Sequence, residues 1–203
     1  MNPPLSKRLV ILGAGTAGTM IANKLHKRLP DWSITLVDKD DIHDYQPGYL
    51  FIPFAINHPR EIRKTKRPYI DDGIDIVMSE IELVDPEGRE VQLANGDRLS
   101  YDYLVVATGT TPRPDQTEGM LGPDWNKSVL EFYTFDGAIA TRNAMERFEG
   151  GKLVMHITEM PIKCPVAPME FVFLADDYFK KRGIRAKVDI TYVTPLDGAF
   201  TKP

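Results

Sequence analysis

The stretch that most constrains this chain is Arg8-Leu-Val-Ile-Leu-Gly13-Ala-Gly15-Thr16-Ala17-Gly18, close to the N-terminus. The four apolar residues Leu9 to Leu12 predict a buried parallel strand, and the glycines after them predict a turn into a helix opening near Thr16. In such a unit the first glycine permits the tight turn. The second lets backbone approach a pyrophosphate, and the third lets the helix sit close to the strand. The free N–H groups of the helix, at the positive end of its dipole, then face phosphate. Met20, Ile21, Leu25 and Leu29 continue at helical spacing until Pro30 stops the helix.

Ser33-Ile-Thr-Leu-Val37 is β-branched and predicts the second parallel strand. It ends at Asp38, the twentieth residue past Gly18, where this kind of unit places an acid to bind the ribose hydroxyls of adenosine. Alone, Asp38 reads as a strand-end turn residue; with the glycines in register, the ribose role is favoured. An acid here disfavours a 2′-phosphate, which points to FAD or NAD rather than NADP.

Beyond Asp38, the run from Lys39 to Phe54 holds Tyr45-Gln-Pro47-Gly48-Tyr49 and Pro53. It reads as a loop without regular structure, either walling a flavin and a hydrophobic channel or packed by its own aromatics. The basic run Arg60 to Arg67 could attract an anionic membrane surface, but a solvated helix face is the favoured reading. Ile74-Asp-Ile76-Val77 predicts a strand. A meander follows over Ile81–Val84 and Val91–Leu93, with turns at Asp85–Gly88 and Asn95-Gly96. Tyr103–Val106 predicts a further buried strand running into Ala107-Thr108-Gly109, a small turn able to approach a cofactor. The candidate cofactor-binding residues are therefore Gly13, Gly15, Thr16, Ala17, Gly18, Asp38, Lys39, Val77, Ala107, Thr108 and Gly109.

Residues 110–130 read as a loop or linker, followed by an amphipathic helix from Phe135 to Phe148 closed by Gly150-Gly151. Lys152–Ile157 and Val188–Val193 predict two strands of a second βαβ unit. Its helix carries Ala167, Phe171, Leu174, Ala175, Tyr178 and Phe179 on one face and ends at Gly183. No glycine fingerprint joins this strand to this helix; the connection is Glu159-Met-Pro-Ile-Lys163-Cys164-Pro165-Val-Ala-Pro168. Such a unit is not expected to bind NAD(P)H in the usual way.

Cys164 is the single cysteine, so no disulfide forms within the chain and zinc ligation by several thiolates is excluded. It precedes a helix that Pro165 or Pro168 can open. The helix terminus and Lys163 favour a thiolate, which makes Cys164 the candidate catalytic nucleophile; a buried, inert cysteine is the alternative. His26, His43, His58 and His156 show no ligand spacing, and no metal is expected. The net charge of −4 gives no support for nucleic-acid binding, and no apolar run approaches a membrane span. With the first strand so near Met1, no signal peptide is expected and the expected location is the cytoplasm, with or without peripheral attachment to a membrane.

These residues resemble the sulfide:quinone oxidoreductase branch of the FAD-dependent pyridine nucleotide-disulfide oxidoreductases, and the related flavocytochrome c sulfide dehydrogenases. The matching features are Gly13-x-Gly15-x-x-Gly18, Asp38, Tyr45-Gln-Pro-Gly48-Tyr49, Val105-Val-Ala-Thr108-Gly109 and Cys164-Pro-Val-Ala-Pro168. They extend over nearly the whole chain. The resemblance implies an α/β fold: a Rossmann-like FAD-binding domain with a β-meander over 1–112, then part of a second Rossmann-like domain over 113–203 carrying the redox cysteine. It further implies sulfide oxidation at Cys164, with electrons passing through FAD to a membrane quinone. The family's second redox cysteine and membrane-docking helices belong to a C-terminal half beyond Pro203, and a further family cysteine expected near Ser128–Tyr133 is absent. The chain is accordingly expected to be about the N-terminal half of a longer enzyme, with self-association through the face left open. Two other readings stand beside this one: a non-catalytic flavin-binding module, and an NADH:quinone-type flavoprotein.

Overall fold

The structure is a computed structural model, which describes residues 7–199. The first stretch holds β1 (Lys7–Leu12), α1 (Thr16–Arg28), β2 (Trp32–Asp38) and β3 (Ile42–Asp44), then a 3-10 stretch over Gln46–Phe54. Next come α2 (Pro59–Ile62), β4 (Arg63–Thr65), β5 (Asp75–Met78), β6 (Ile81–Asp85), β7 (Glu90–Leu93), β8 (Arg98–Ser100) and β9 (Tyr103–Val106). The remainder is α3 (Phe135–Arg147), β10 (Gly151–His156), α4 (Ala167–Lys181) and β11 (Val188–Val193).

Contacts divide the chain into two compact units. One comprises the residues up to Asp44 together with Arg63–Thr110; the other comprises Tyr45–Ile62 together with the residues from Thr111 onward. The expected boundary near residue 112 falls close to the last crossing, but the segment 45–62 leaves the first unit for the second. The terminal stretches 1–6 and 200–203 of the expected domains lie outside the described residues.

The first unit is built on a parallel sheet in the order β5-β2-β1-β9. Leu9 pairs with Ile34 and Tyr103, Leu12 with Val37 and Val106, and Val37 in turn with Val77. Alternate residues of a strand face opposite sides, and here both sides are covered. Leu9, Ile11, Ile34 and Leu36 pack with Ala14 and Ala22 on one face. Val10, Leu12 and Val37 pack with Val91 and Leu93 of the antiparallel β6-β7-β8 meander, and with Tyr101 just past β8, on the other. This double burial explains why β1 is apolar without alternation.

In the second unit, β10 and β11 form a parallel pair, and α4 lies against both in the expected orientation. Phe171, Ala175 and Phe179 are buried, and Gly183 takes a left-handed conformation (φ +71°) just past the helix. Two sequence expectations are corrected. The run 39–54 is not irregular: it forms β3 and then a 3-10 stretch whose Tyr49, Leu50, Ile52 and Phe54 enter the core of this second unit. Phe54 meets Phe171 at 4.8 Å between ring centroids, and Phe132 stacks on Phe171 at 5.0 Å. Tyr49 and Ile52, three residues apart, share one face of a 3-10 turn, which lets a segment with two prolines bury its apolar side. The run 60–67 is not a solvated helix face either. After one short turn it becomes β4, antiparallel to β3, and Lys66 is buried. Among the described residues, no helix is long and apolar enough to cross a membrane.

Candidate functional site

In the first unit, three neighbouring strand ends build one locus. Gly13, just past β1, donates its N–H to Val37 O at 2.7 Å, and Ala107, just past β9, donates its N–H to Leu12 O at 2.7 Å. The glycine loop and the Ala107-Thr108-Gly109 turn are thereby brought together. Gly13 has φ +94°, and a Cβ there would stand 2.4 Å from Ala107 O, so no other residue fits. A Cβ on Gly18 would stand 1.8 Å from Gly13 O, the close helix approach expected of the third glycine. Gly15 differs: no heavy atom lies within 4 Å of where its Cβ would stand. It is the N-cap of α1, no side chain caps that terminus, and the first turn, which includes Thr16 and Ala17, holds no acid. Open space at an uncapped helix N-terminus is the geometry an anion requires.

Asp38 closes the other side of the loop. Its Oδ2 accepts the Ala14 N–H at 2.7 Å and lies 2.8 Å from the Lys66 ammonium, while Oδ1 accepts the N–H of Lys39 at 2.8 Å. Its own carbonyl accepts the N–H of Ser79, one residue past β5. Val77, paired with Val37, stands in β5 beside the same strand end. The glycines, Asp38, Lys39, Val77 and the Ala-Thr-Gly turn therefore belong to one unit and lie at one end of its sheet, the C-terminal ends of its parallel strands. Lys66 and the Ala14 amide are the participants that sequence reasoning missed. A readable signal existed: acids at 38, 40, 41 and 44 are matched by bases at 63, 64, 66 and 67.

Cys164 belongs to the second unit. It is exposed and has φ +55°, an uncommon conformation for a residue with a side chain. Its carbonyl accepts the Ala167 N–H at 3.2 Å and the Tyr133 hydroxyl at 3.1 Å. The helix after it begins at Ala167, with Pro168 in its first turn, as the prolines suggested. Lys163, expected beside the sulfur, directs its ammonium to Gln46 Oε1 at 2.9 Å. Burial lowers the pKa of Lys163, and the charge of Glu131 opposes this. Burial first, then the charge of Cys164, push the Tyr133 hydroxyl above the ordinary tyrosine range. Tyr133 thus stays a neutral hydrogen-bond donor at physiological pH. Among the described residues, no three His, Cys, Asp or Glu side chains cluster as metal ligands.

A profile of the pyridine nucleotide-disulphide oxidoreductases matches residues 7–195. The mitochondrial sulfide:quinone oxidoreductase of Dictyostelium discoideum is 28% identical over 187 residues, which cover 91% of this chain and 41% of the relative. The sulfide-quinone reductase of Aquifex aeolicus is 27% identical over 97% of this chain and 45% of its own length. The crystal structure of the Aquifex aeolicus sulfide:quinone oxidoreductase superposes with a TM-score of 0.80 at 25% identity, over 96% of this chain and 45% of that one. This chain spans under half the length of these relatives.

Proposed function

Because the chain belongs to the pyridine nucleotide-disulphide oxidoreductase family, whose members are FAD-binding flavoproteins, we propose that its first unit binds FAD and that the protein acts in sulfide:quinone-type oxidoreduction. One observation carries this reading: the open, uncapped helix terminus at Gly15 lies between an acid at the end of β2 and a small turn at the end of β9. A pyrophosphate fits there because the backbone amides of Gly15, Thr16 and Ala17 offer donors where no side chain intrudes. Asp38 would accept a ribose hydroxyl, with Lys39 and Val77 flanking it. The backbone of Ala107, Thr108 and Gly109 would help hold the cofactor beside the glycine loop.

When bound, FAD supplies a two-electron acceptor that can hand its electrons to a quinone. Cys164 is the proposed sulfur carrier: its thiolate would join sulfide sulfur as a persulfide, the two electrons released by forming that S–S bond being the pair the flavin would accept. Its carbonyl is held by the neutral Tyr133 hydroxyl, which fixes the backbone without taking a proton. Relatives named as sulfide:quinone oxidoreductases support these substrates. Peripheral contact with a quinone-bearing membrane and self-association belong to the same proposal. A second reading, a flavin-binding module that does not turn over alone, is favoured by Cys164 being the sole thiol in the sequence.

The test begins with the visible spectrum of the purified chain after incubation with FAD and desalting. Retained flavin bands are expected, and a colourless protein overturns the FAD reading. Anaerobic sulfide should then bleach the flavin of the wild-type chain and not of Cys164→Ser. Bleaching of both removes Cys164 from the reaction; bleaching of neither selects the binding-module reading.

A further inference from the structure

The buried lysine of the first unit contacts Asp38 and offers no group to the cofactor itself. The Lys66 side chain is 5% exposed, and its ammonium lies 2.8 Å from Asp38 Oδ2, 2.7 Å from the carbonyl of Asp40 and 3.4 Å from Asp40 Oδ1. Its backbone N–H is held by the carbonyl and Oδ1 of Asp41, both at 3.0 Å. A lysine this enclosed persists only when paired, and the oxygen it pairs with is the one that receives the Ala14 N–H. We infer that Lys66 is a positioning residue for the adenosine end of the dinucleotide site, its ammonium clamping the Asp38 carboxylate against the glycine loop. The inference rests on the FAD reading of that site.

The physical case is one of occupancy and charge. A carboxylate offers about four acceptor positions. Ala14 and Lys66 occupy Oδ2, while among the described residues Oδ1 accepts the N–H of Lys39 and so retains capacity for a ribose hydroxyl. One oxygen is a strut and the other is the reader. Asp38, Asp40 and Asp41 also crowd one short turn, and the ammonium is what lets these like charges stay close. Without it, repulsion would open the 38–41 turn and draw Asp38 away from Ala14.

The test titrates FAD, and ADP-ribose as a flavin-free probe, into the wild-type chain, Lys66→Met, Asp38→Asn and the double variant. Hydrogen exchange at the Ala14 amide is followed in parallel without ligand. Lys66→Met is expected to weaken both ligands about tenfold and to speed Ala14 exchange, whereas on the Asp38→Asn background it should change affinity by less than about twofold. Equal weakening on both backgrounds would make Lys66 a general support of the fold and overturn the inference, as would unchanged affinity and exchange. A wild-type chain that binds neither probe defeats the FAD reading instead, and Ala14 exchange then decides the clamp by itself. Should Lys66→Met fail to fold by circular dichroism, Asp40→Asn weakens the second anchor of the same ammonium. That variant should speed Ala14 exchange and weaken FAD about threefold; no change in either sinks the clamp.

Discussion

At the scale of single residues, the glycine loop separates two roles that one motif conceals. Gly13 is structural, because its φ of +94° and the 2.4 Å approach to Ala107 O both forbid a side chain. Gly13→Ala should therefore cost roughly 1–3 kcal/mol of folding stability, read as a lower urea midpoint, with FAD binding lost alongside. Gly15 is not structural in this sense: a Cβ there meets open space, at an ordinary φ of −72°. Gly15→Ala should leave stability within about 0.5 kcal/mol while weakening FAD at least about tenfold, since the methyl group would stand where phosphate must approach. A Gly15→Ala chain that binds FAD like wild type would show that the pyrophosphate does not lie at this loop. The spacing of the glycines and Asp38 was legible because each position answers to a local requirement. For Lys66 the matched acids and bases offered a signal of pairing, but its burial was not legible, since it depends on β3 and β4 pairing across the 45–62 excursion.

At the scale of elements, β1, β2, β5, β6, β7, β9, β10 and β11 and helices α1, α3 and α4 follow from periodicity, whereas β3, α2, β4 and the 3-10 stretch do not. The departures occur where tertiary burial overrode composition. The 46–54 segment carries two prolines and a glycine, yet it coils because its aromatics find Phe132 and Phe171. The open ends of β1 and β9 are joined by a contact visible only in three dimensions: Asp102 accepts the Arg8 N–H at 2.7 Å, with the guanidinium 3.6 Å away. That backbone hydrogen bond is the largest influence; desolvation opposes it, and the charges of Arg8 and Lys7 add to it, so the Asp102 carboxyl is held below the ordinary range. A carboxylate depressed in the folded state stabilises the fold above its unfolded pKa of about 3.9, and loses that contribution as pH falls through the folded value. Asp102→Asn should thus lower the urea midpoint uniformly between about pH 5 and 8, and the difference from wild type should shrink below about pH 4. A difference that persists at the lowest pH would assign the effect to the altered side-chain geometry rather than to charge.

At the scale of the molecule, the chain passes between its two units after Asp44, after Ile62 and after Thr110, yet each unit has its own core and no buried residue is shared between the clusters. Two tryptophans divide between them: Trp32, stacked on Tyr103 at 4.9 Å, reports the first unit, and Trp125 the second. A ligand that binds only the native state stabilises what it binds by mass action, about 2.7 kcal/mol at a free concentration of 100 Kd. If FAD is held by the glycine loop and each core unfolds as its own cooperative unit, that increment should appear in one transition and not in the other. In a Trp125→Phe chain, urea unfolding followed by Trp32 fluorescence should shift upward with FAD by that amount. In a Trp32→Phe chain, the transition seen by Trp125 should stay in place. Equal shifts in both would mean that the two cores unfold together and that the 45–62 excursion couples them. A shift confined to Trp125 would move the cofactor to the second unit, and would overturn the assignment of Gly15 and Asp38 to its binding.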